Sequence, residues 1–321
     1  MPNKEYDIVV VGELNADLIL SGNVDPAFGQ VEKLVERADL AIGSSAGIFA
    51  CGAARLGLRT AFIGKVGTDI FGDFMRGAIA ARGVDVSGVK LDPAVHTGLS
   101  VILNRTTDRA ILTYPGTIPR LRYEEIDLAL IARARHLHLG SFFLLDDLRP
   151  EVPRLFREAH RLGLTISLDT NYDPLLLWEG GIREALAEAD LFFPNQTELL
   201  AISGCADLES GMRRITALGP SAAVKLGEHG AIGLDRGTAY RAPSLPVKVV
   251  DTVGAGDSFD AGFLYGYLRH AHDWDFGAML AMGCVSGALS TRGAGGTDAQ
   301  PRLKESLEAL TRQGLARGKD S

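Results

Sequence analysis

A chain of 321 residues that is 46% hydrophobic and 23% charged holds enough apolar material for one large α/β domain with a sizeable core and an enclosed cleft. Its net charge of −7 excludes a protein devoted to nucleic acid, because neutralising phosphates takes clustered Lys and Arg, although it leaves room for a local cationic pocket that holds a nucleotide. Cys51, Cys205 and Cys284 fit no zinc spacing and read as reduced thiols of a cytoplasmic protein.

The polar stretch Met1 to Asp7 holds no signal-peptide core. The run Tyr6 to Gly12 is then expected to be a buried strand ending in glycine. Helical periodicity follows over Ala46–Leu56 with Gly57 as a stop, and over Asp69–Arg82 with Gly83 as a stop. Thr60 to Gly64 reads as a strand between them. Alternating runs at Thr97–Asn104 and Arg109–Tyr114, about a Thr106-Thr107-Asp108 turn, predict a β-hairpin.

The second half alternates strand and helix more regularly. His136–Leu139, Thr165–Leu168, Leu191–Phe193 and Ala222–Leu226 are short apolar runs separated by helical stretches, the pattern of βαβ units on a parallel sheet. Three helices close the chain: Ala255–His270, Phe276–Thr291 and Arg302–Gln313. The second of these is too short and too rich in Gly and Ser to span a bilayer, so no membrane partner is expected. One domain over residues 1–321, with a mostly parallel central sheet and a small β-rich lid from about 13–42 and 95–115, is the simplest architecture. In such sheets ligands sit beyond the carboxyl ends of the strands.

The chemistry concentrates in Val249-Val250-Asp251-Thr252-Val253-Gly254-Ala255-Gly256-Asp257-Ser258-Phe259-Asp260-Ala261-Gly262-Phe263. An apolar run expected to be a strand enters a glycine turn, and an amphipathic helix starts at once. Unpaired N–H groups at such a helix start make an anion site. Asp257 in the first turn would repel a phosphate that was merely stored there. It suits a site where the anion is transferred and the carboxylate engages the attacking hydroxyl. The plain alternative is that Asp257 caps its helix, but a cap does not need so long a string of particular residues. Neither a Gly-x-x-x-x-Gly-Lys-Ser/Thr loop nor a Gly-x-Gly-x-x-Gly after a strand is present, so P-loop and dinucleotide readings lose support.

Asp251 to Asp257 resembles the carboxy-terminal signature of the ribokinase-type (PfkB) carbohydrate kinase family. Further likenesses fall in the family's order along nearly the whole chain: Gly12-Glu13-Leu14-Asn15-Ala16-Asp17, Gly64 to Gly72, Asp169-Thr170-Asn171, Asn195-Gln196-Thr197-Glu198 and Lys225-Leu226-Gly227. The resemblance implies a ribokinase-like three-layer α/β/α sandwich and an ATP- and Mg²⁺-dependent kinase acting on a hydroxyl of a small sugar. It implies Asp257 as the base, and the backbone N–H groups of Gly254, Ala255 and Gly256 as the anion hole.

By the same resemblance Asn195 and Glu198 organise Mg²⁺ through water, although Asn at N-cap and Glu at N3 is equally an ordinary capping box. Asn195, Lys225, Gly227, Thr252, Gly254 and Gly256 would line the nucleotide site. Asp251 and the Val253 carbonyl would hold a monovalent cation such as K⁺, as in some relatives. On the acceptor side, Asn15 and Asp17 alternate on one strand and share a face, with Gly43 beside them; the plain alternative is a solvated edge strand. His136 and His138 lack a third metal ligand and read as core or surface residues, and His270 and His272 as solvated.

Departures from the family pattern concern the acceptor. In Gly43-Ser44-Ser45-Ala46-Gly47-Ile48, Ser44 replaces a second glycine and Ile48 stands where an Asn reaches the substrate. Asp173 occupies the place of an Arg found in acid-sugar kinases. With Asp17, Asp173 and Asp257 expected around the acceptor, and Arg105 and Arg109 expected to face solvent, the acceptor is expected to be neutral. The alternatives are a nucleoside kinase, with Phe28, Phe49, Phe142 or Phe143 stacking the base, and a sugar sensor without turnover. An exposed lid edge allows a homodimer.

Overall fold

The computed structural model describes residues 4–105 and 108–314. The chain begins β1 (Tyr6–Val11), β2 (Asn15–Ser21), β3 (Arg37–Ile42), α1 (Ser45–Arg55), β4 (Thr60–Gly67), α2 (Ile70–Ala80), β5 (Val84–Asp92), β6 (Gly98–Asn104) and β7 (Arg109–Tyr114). It continues with α3 (Leu128–Ala132), β8 (Ala134–Leu139), α4 (Val152–Arg161), β9 (Thr165–Leu168), α5 (Ile182–Leu186), β10 (Leu191–Phe192), α6 (Gln196–Ser203), α7 (Leu208–Thr216) and β11 (Ser221–Lys225). A hairpin of β12 (Ala231–Asp235) and β13 (Thr238–Ala242) precedes α8 (Ala255–Arg269), α9 (Phe276–Ser290) and α10 (Leu303–Arg312).

Nine strands form one sheet in the order β13-β12-β11-β10-β9-β8-β1-β4-β5. Every pair from β5 to β11 is parallel, and only the β12–β13 hairpin runs antiparallel at the edge. Every residue of β1 is buried, as a central parallel strand covered on both faces requires. One face packs against α1, α2, α8, α9 and α10, the other against α3 to α7, giving two hydrophobic cores on either side of the sheet. The helices read from their sequences: α4 buries Val152, Leu155, Phe156 and Ala159 as one stripe. Among the described residues no helix is long and apolar enough to cross a membrane.

From β1 the chain builds outward to β4 and β5 on one side and to β8 and its successors on the other, so β1 marks the switch point where a ligand cleft opens. At that point β1 runs through Gly12–Leu14 into a second, four-stranded sheet ordered β3-β2-β6-β7, the β lid. Strand β2 lies inside it, paired antiparallel to β3 and parallel to β6.

Two sequence expectations need correction. The apolar run ending at Val250 is not a strand: Val249 and Val250 are 55% and 59% exposed, and the N–H groups of Val250 and Asp251 both turn to the Thr291 carbonyl at the end of α9. The solvated-edge alternative for Asn15 and Asp17 falls, because β2 is an interior strand and both residues are buried. β2 and β3 fall in the β-rich lid expected over about 13–42, whereas β5 and the β12–β13 hairpin were not expected. The hairpin of β6 and β7 forms as expected, but Thr106 and Thr107 of its turn lie outside the described residues.

Candidate active site

Gly254 is the N-cap of α8, with φ +72°, a conformation that disfavours any side chain. A Cβ there would also approach the Gly296 carbonyl and Ile48 to 2.8 Å. The Ala255 N–H is not an open donor, because it turns back to the Thr252 carbonyl at 3.2 Å. Among the described residues the N–H groups of Gly254, Gly256 and Asp257 donate to no protein acceptor, so the open donors at this turn include Asp257 and not Ala255. The Asp251 carboxylate accepts from Val253 (3.0 Å) and Gly295 (2.9 Å), tying the glycine turn to the 293–296 loop. Thr252 is exposed beside it.

Asp257 does not cap α8. Its Oδ1 accepts the Ser45 hydroxyl at 2.5 Å, and its Oδ2 has no protein donor among the described residues. Burial, with the Asp169 and Glu13 carboxylates nearby, pushes the Asp257 carboxyl up to about 7, while Ser45 and Lys225 oppose the rise.

Beneath the turn lies a charged cluster that the sequence did not reveal as such. Lys225, at the carboxyl end of β11, is not a surface lysine: Nζ donates to Asp169 Oδ2 (2.6 Å) and Asp260 Oδ1 (3.2 Å) and lies under Gly256. Burial would raise Asp169, but the Lys225 ammonium and the Asn171 N–H outweigh it and hold the carboxyl at about 2. Burial keeps Asp260 well above the usual range. Glu198, buried on α6, exchanges bonds with Asn195: its N–H donates to Asn195 Oδ1 (2.9 Å), and its own oxygens accept Asn195 N–H (2.8 Å) and Nδ2 (2.6 Å). This is a complete capping box. Burial and Asp169 push Glu198 up to about 7. Gly227 opens the turn after β11.

On the acceptor side, Asn15 and Asp17 are buried together, Nδ2 donating to Oδ1 at 3.2 Å. Any side chain at Gly43 would strike both, its Cβ falling 1.9 Å from Asp17 Oδ1. Burial pushes Asp17 up to about 6, against the pull of Ser100 and Arg109. Sheet register continues this polar row to Ser100 on β6 and Thr113 on β7, 3.1 Å apart. Gly43 and Ser45 are two residues apart, so the Asn15–Asp17 pair and Asp257 flank one stretch of chain of ~7 Å.

The departures now have physical reasons. Ser44 caps α1, accepting the Gly47 N–H (2.8 Å) and donating to the Glu13 carbonyl (2.5 Å). Ile48 is buried against Gly254 and Gly296 and supports the glycine turn. Asp173 is buried and spends its carboxylate on its own loop, accepting from Leu175, Leu177 and Trp178. Phe49, Phe142 and Phe143 are core residues and cannot stack a base, while Phe28 is 98% exposed. His136 and His138 are buried on Thr165 and Ser167 hydroxyls, and burial drives His138 down to about 3. His270 is not simply solvated, since it stacks on Trp274. Arg105 pairs with Asp25, and Arg109 is exposed.

Ser45, Glu13, Asp260, Ser100 and Thr113 are the site residues that sequence reasoning missed. Asp260 had a usable signal, three residues after Asp257 on one helix face. Among the described residues no cluster of three or more His, Cys, Asp or Glu can hold a metal directly. A cavity of about 2180 Å³ lies at the amino ends of the strands beside Asp7, Arg59 and Ser221, away from this cluster.

A family model described as pfkB family carbohydrate kinase matches residues 6–303. The chain is 35% identical over 272 residues to a fructokinase of Klebsiella pneumoniae, covering 81% of this chain and 88% of the relative. It is 27% identical over 319 residues to a 5-dehydro-2-deoxygluconokinase of Geobacillus kaustophilus, covering 94% and 92%. A solved structure of a fructokinase with bound ATP from Xylella fastidiosa superposes with a TM-score of 0.83 at 23% identity, over 96% of this chain and 99% of that one.

Proposed function

We propose that this chain, which belongs to the pfkB family of carbohydrate kinases, transfers the γ-phosphoryl group of ATP to a hydroxyl of a small neutral sugar, with Asp257 as the base. That it is an ATP-dependent sugar kinase rests on the family and its fructokinase relatives. One observation carries the catalytic reading. Asp257 stands in the first turn of α8, does not cap it and, among the described residues, keeps Oδ2 free of protein donors beside N–H groups without protein acceptors.

In this reading Asp257 Oδ2 takes the proton of the acceptor hydroxyl as its oxygen bonds to the γ-phosphorus and the bond to the ADP oxygen breaks. The N–H groups of Gly254, Gly256 and Asp257 receive the transferred oxygens. Thr252, Gly227, Asn195 and Lys225 line the nucleotide. Lys225 acts from beneath, since its charge is already shared by Asp169 and Asp260.

Glu198 and Asn195 satisfy each other, which fits a Mg²⁺ held through water and phosphate oxygens and not one held directly. When bound, Mg²⁺ neutralises phosphate charge. Asp251 and the Val253 carbonyl are the seat of a monovalent cation, tested by the rate in K⁺ against Na⁺. The lid from about residues 13–42 and 95–115 closes over the acceptor and excludes water. Strand β7 exposes both faces, with Ile111, Leu112 and Tyr114 at least half exposed; it is where two copies would pair, testable by sedimentation.

The acceptor is neutral because Glu13, Asp17 and Asp257 surround its place, while Arg105 is paired with Asp25. Resemblance does not choose, since one relative is named for a neutral sugar and another for a sugar acid. A nucleoside acceptor loses support with Phe49, Phe142 and Phe143 in the core. ADP release measured over neutral sugars, nucleosides, sugar acids and sugar phosphates tests the reading, and a preference for an anionic acceptor overturns it.

A further inference from the structure

We infer that Ser45 is a positioning residue for the transfer: its hydroxyl pins one oxygen of Asp257 and leaves the other facing the acceptor hydroxyl. The inference rests on Asp257 being the base. Ser45 is the first residue of α1, yet it is not spent on capping, because Ser44 already accepts the Gly47 N–H. The Ser45 N–H donates to Glu13 Oε1 at 2.9 Å, and the Ser44 hydroxyl donates to the Glu13 carbonyl at 2.5 Å. Two bonds to one residue therefore fix the backbone from which the Ser45 hydroxyl reaches across to α8.

The Ser45 hydroxyl has one described partner, Asp257 Oδ1 at 2.5 Å. A carboxylate turns about its last torsion in a broad two-fold well. A donor on one oxygen removes that freedom and aims the second oxygen, the kind of orientation on which transfer rates depend. The bond also favours the ionised form. Asp257 faces carboxyl groups from three elements: Asp169 at the end of β9 and Glu13 at the end of β1, which both push its ionisation up, and Asp260 on its own helix, which burial keeps well above the usual range. Lys225 on β11 is the cation among them. Glu13 is itself held, buried, with Oε2 lacking a protein partner among the described residues. It therefore anchors Ser45 from the point where the main sheet passes into the lid.

Four variants of the full chain test this: Ser45→Ala, Ser45→Thr, Asp257→Asn and the double Ser45→Ala/Asp257→Asn, with thermal melts to check folding. Ser45→Ala is expected to lower kcat by about ten- to a hundredfold, leave KM for ATP unchanged, and move the acid limb of the kcat profile to higher pH. Ser45→Thr restores most of the rate, and Ser45→Ala adds no further loss to Asp257→Asn. Wild-type kcat with an unmoved acid limb in Ser45→Ala, while Asp257→Asn is inactive, overturns this inference alone. An equal Ser45→Ala loss in the Asp257→Asn background overturns it too. Retained turnover in Asp257→Asn removes the base itself, and the inference with it.

Discussion

Lys225 Nζ and Asp169 Oδ2 lie 2.6 Å apart, and the same ammonium reaches Asp260 Oδ1 at 3.2 Å. One side chain at the end of β11 thus joins the end of β9 to the helix that carries Asp257. Removing the ammonium would leave the buried Asp169 carboxylate without its cation, beside Asp260. Lys225→Met is expected to cost about 3–5 kcal/mol of stability, read by urea denaturation. A loss below about 1 kcal/mol would mean that water already shields the cluster.

Asp257→Asn should fold, bind ATP and lose about 10²–10⁴ in turnover, because the acceptor proton then has no carboxylate to receive it. In the wild type, kcat/KM should rise as Asp257 ionises around 7 and level off above. A flat profile between pH 5 and pH 9 would separate the rate from this carboxylate.

Stability should show the same groups with the opposite sign. Asp257 and Glu13 ionise at about 7 in the folded chain and near roughly 4 when unfolded. Between these values the unfolded chain has released protons that the folded chain keeps, so their contribution falls as pH rises through that window. Asp169, held at about 2, contributes stability above the usual carboxylate range and loses it as pH falls towards 2. Melts from pH 3 to pH 8 check both limbs, and Glu13→Gln should flatten the upper one.

Glu198→Gln should raise the Mg²⁺ concentration needed for half-maximal rate if the carboxylate acts on the ion through water. The capping box alone predicts lower stability with an unchanged Mg²⁺ requirement. A Mg²⁺ titration of the rate beside a melting curve separates the two.

Gly296→Ala should destabilise the chain and slow it, since the new methyl would fall 2.4 Å from Ile48 Cδ1. Shortening the neighbour in Gly296→Ala/Ile48→Val should recover part of both losses. Additive losses would show that Ile48 is not what the methyl meets.

Much of the fold was legible because its signals are local. Hydrophobic period and glycine stops marked α1, α2, α8, α9 and α10, and the apolar runs of β1, β8, β9 and β11 named the parallel sheet. The glycine turn and Asp257 were legible for the same reason, being contiguous. Strand β5 was not, and β2 and β3 were legible only as a β-rich stretch without bounds, since all three mix polar and apolar residues whose burial depends on which sheet they join.

The sequence by itself determined the class of protein and singled out the stretch proposed for the chemistry, because helix starts, strand ends and glycine turns are properties of neighbouring residues. Only the tertiary structure decided what those residues do to one another. Ser45 and Asp257 are 212 positions apart, and Lys225 and Asp169 are 56 apart. Asp173 was expected beside the acceptor, and the fold shows its carboxylate bonded to its own loop; Ile48 was read as a lost contact, and the fold packs it under the glycine turn. A carboxylate's role depends on which donors surround it and how much water is excluded, and both are set when distant segments pack together.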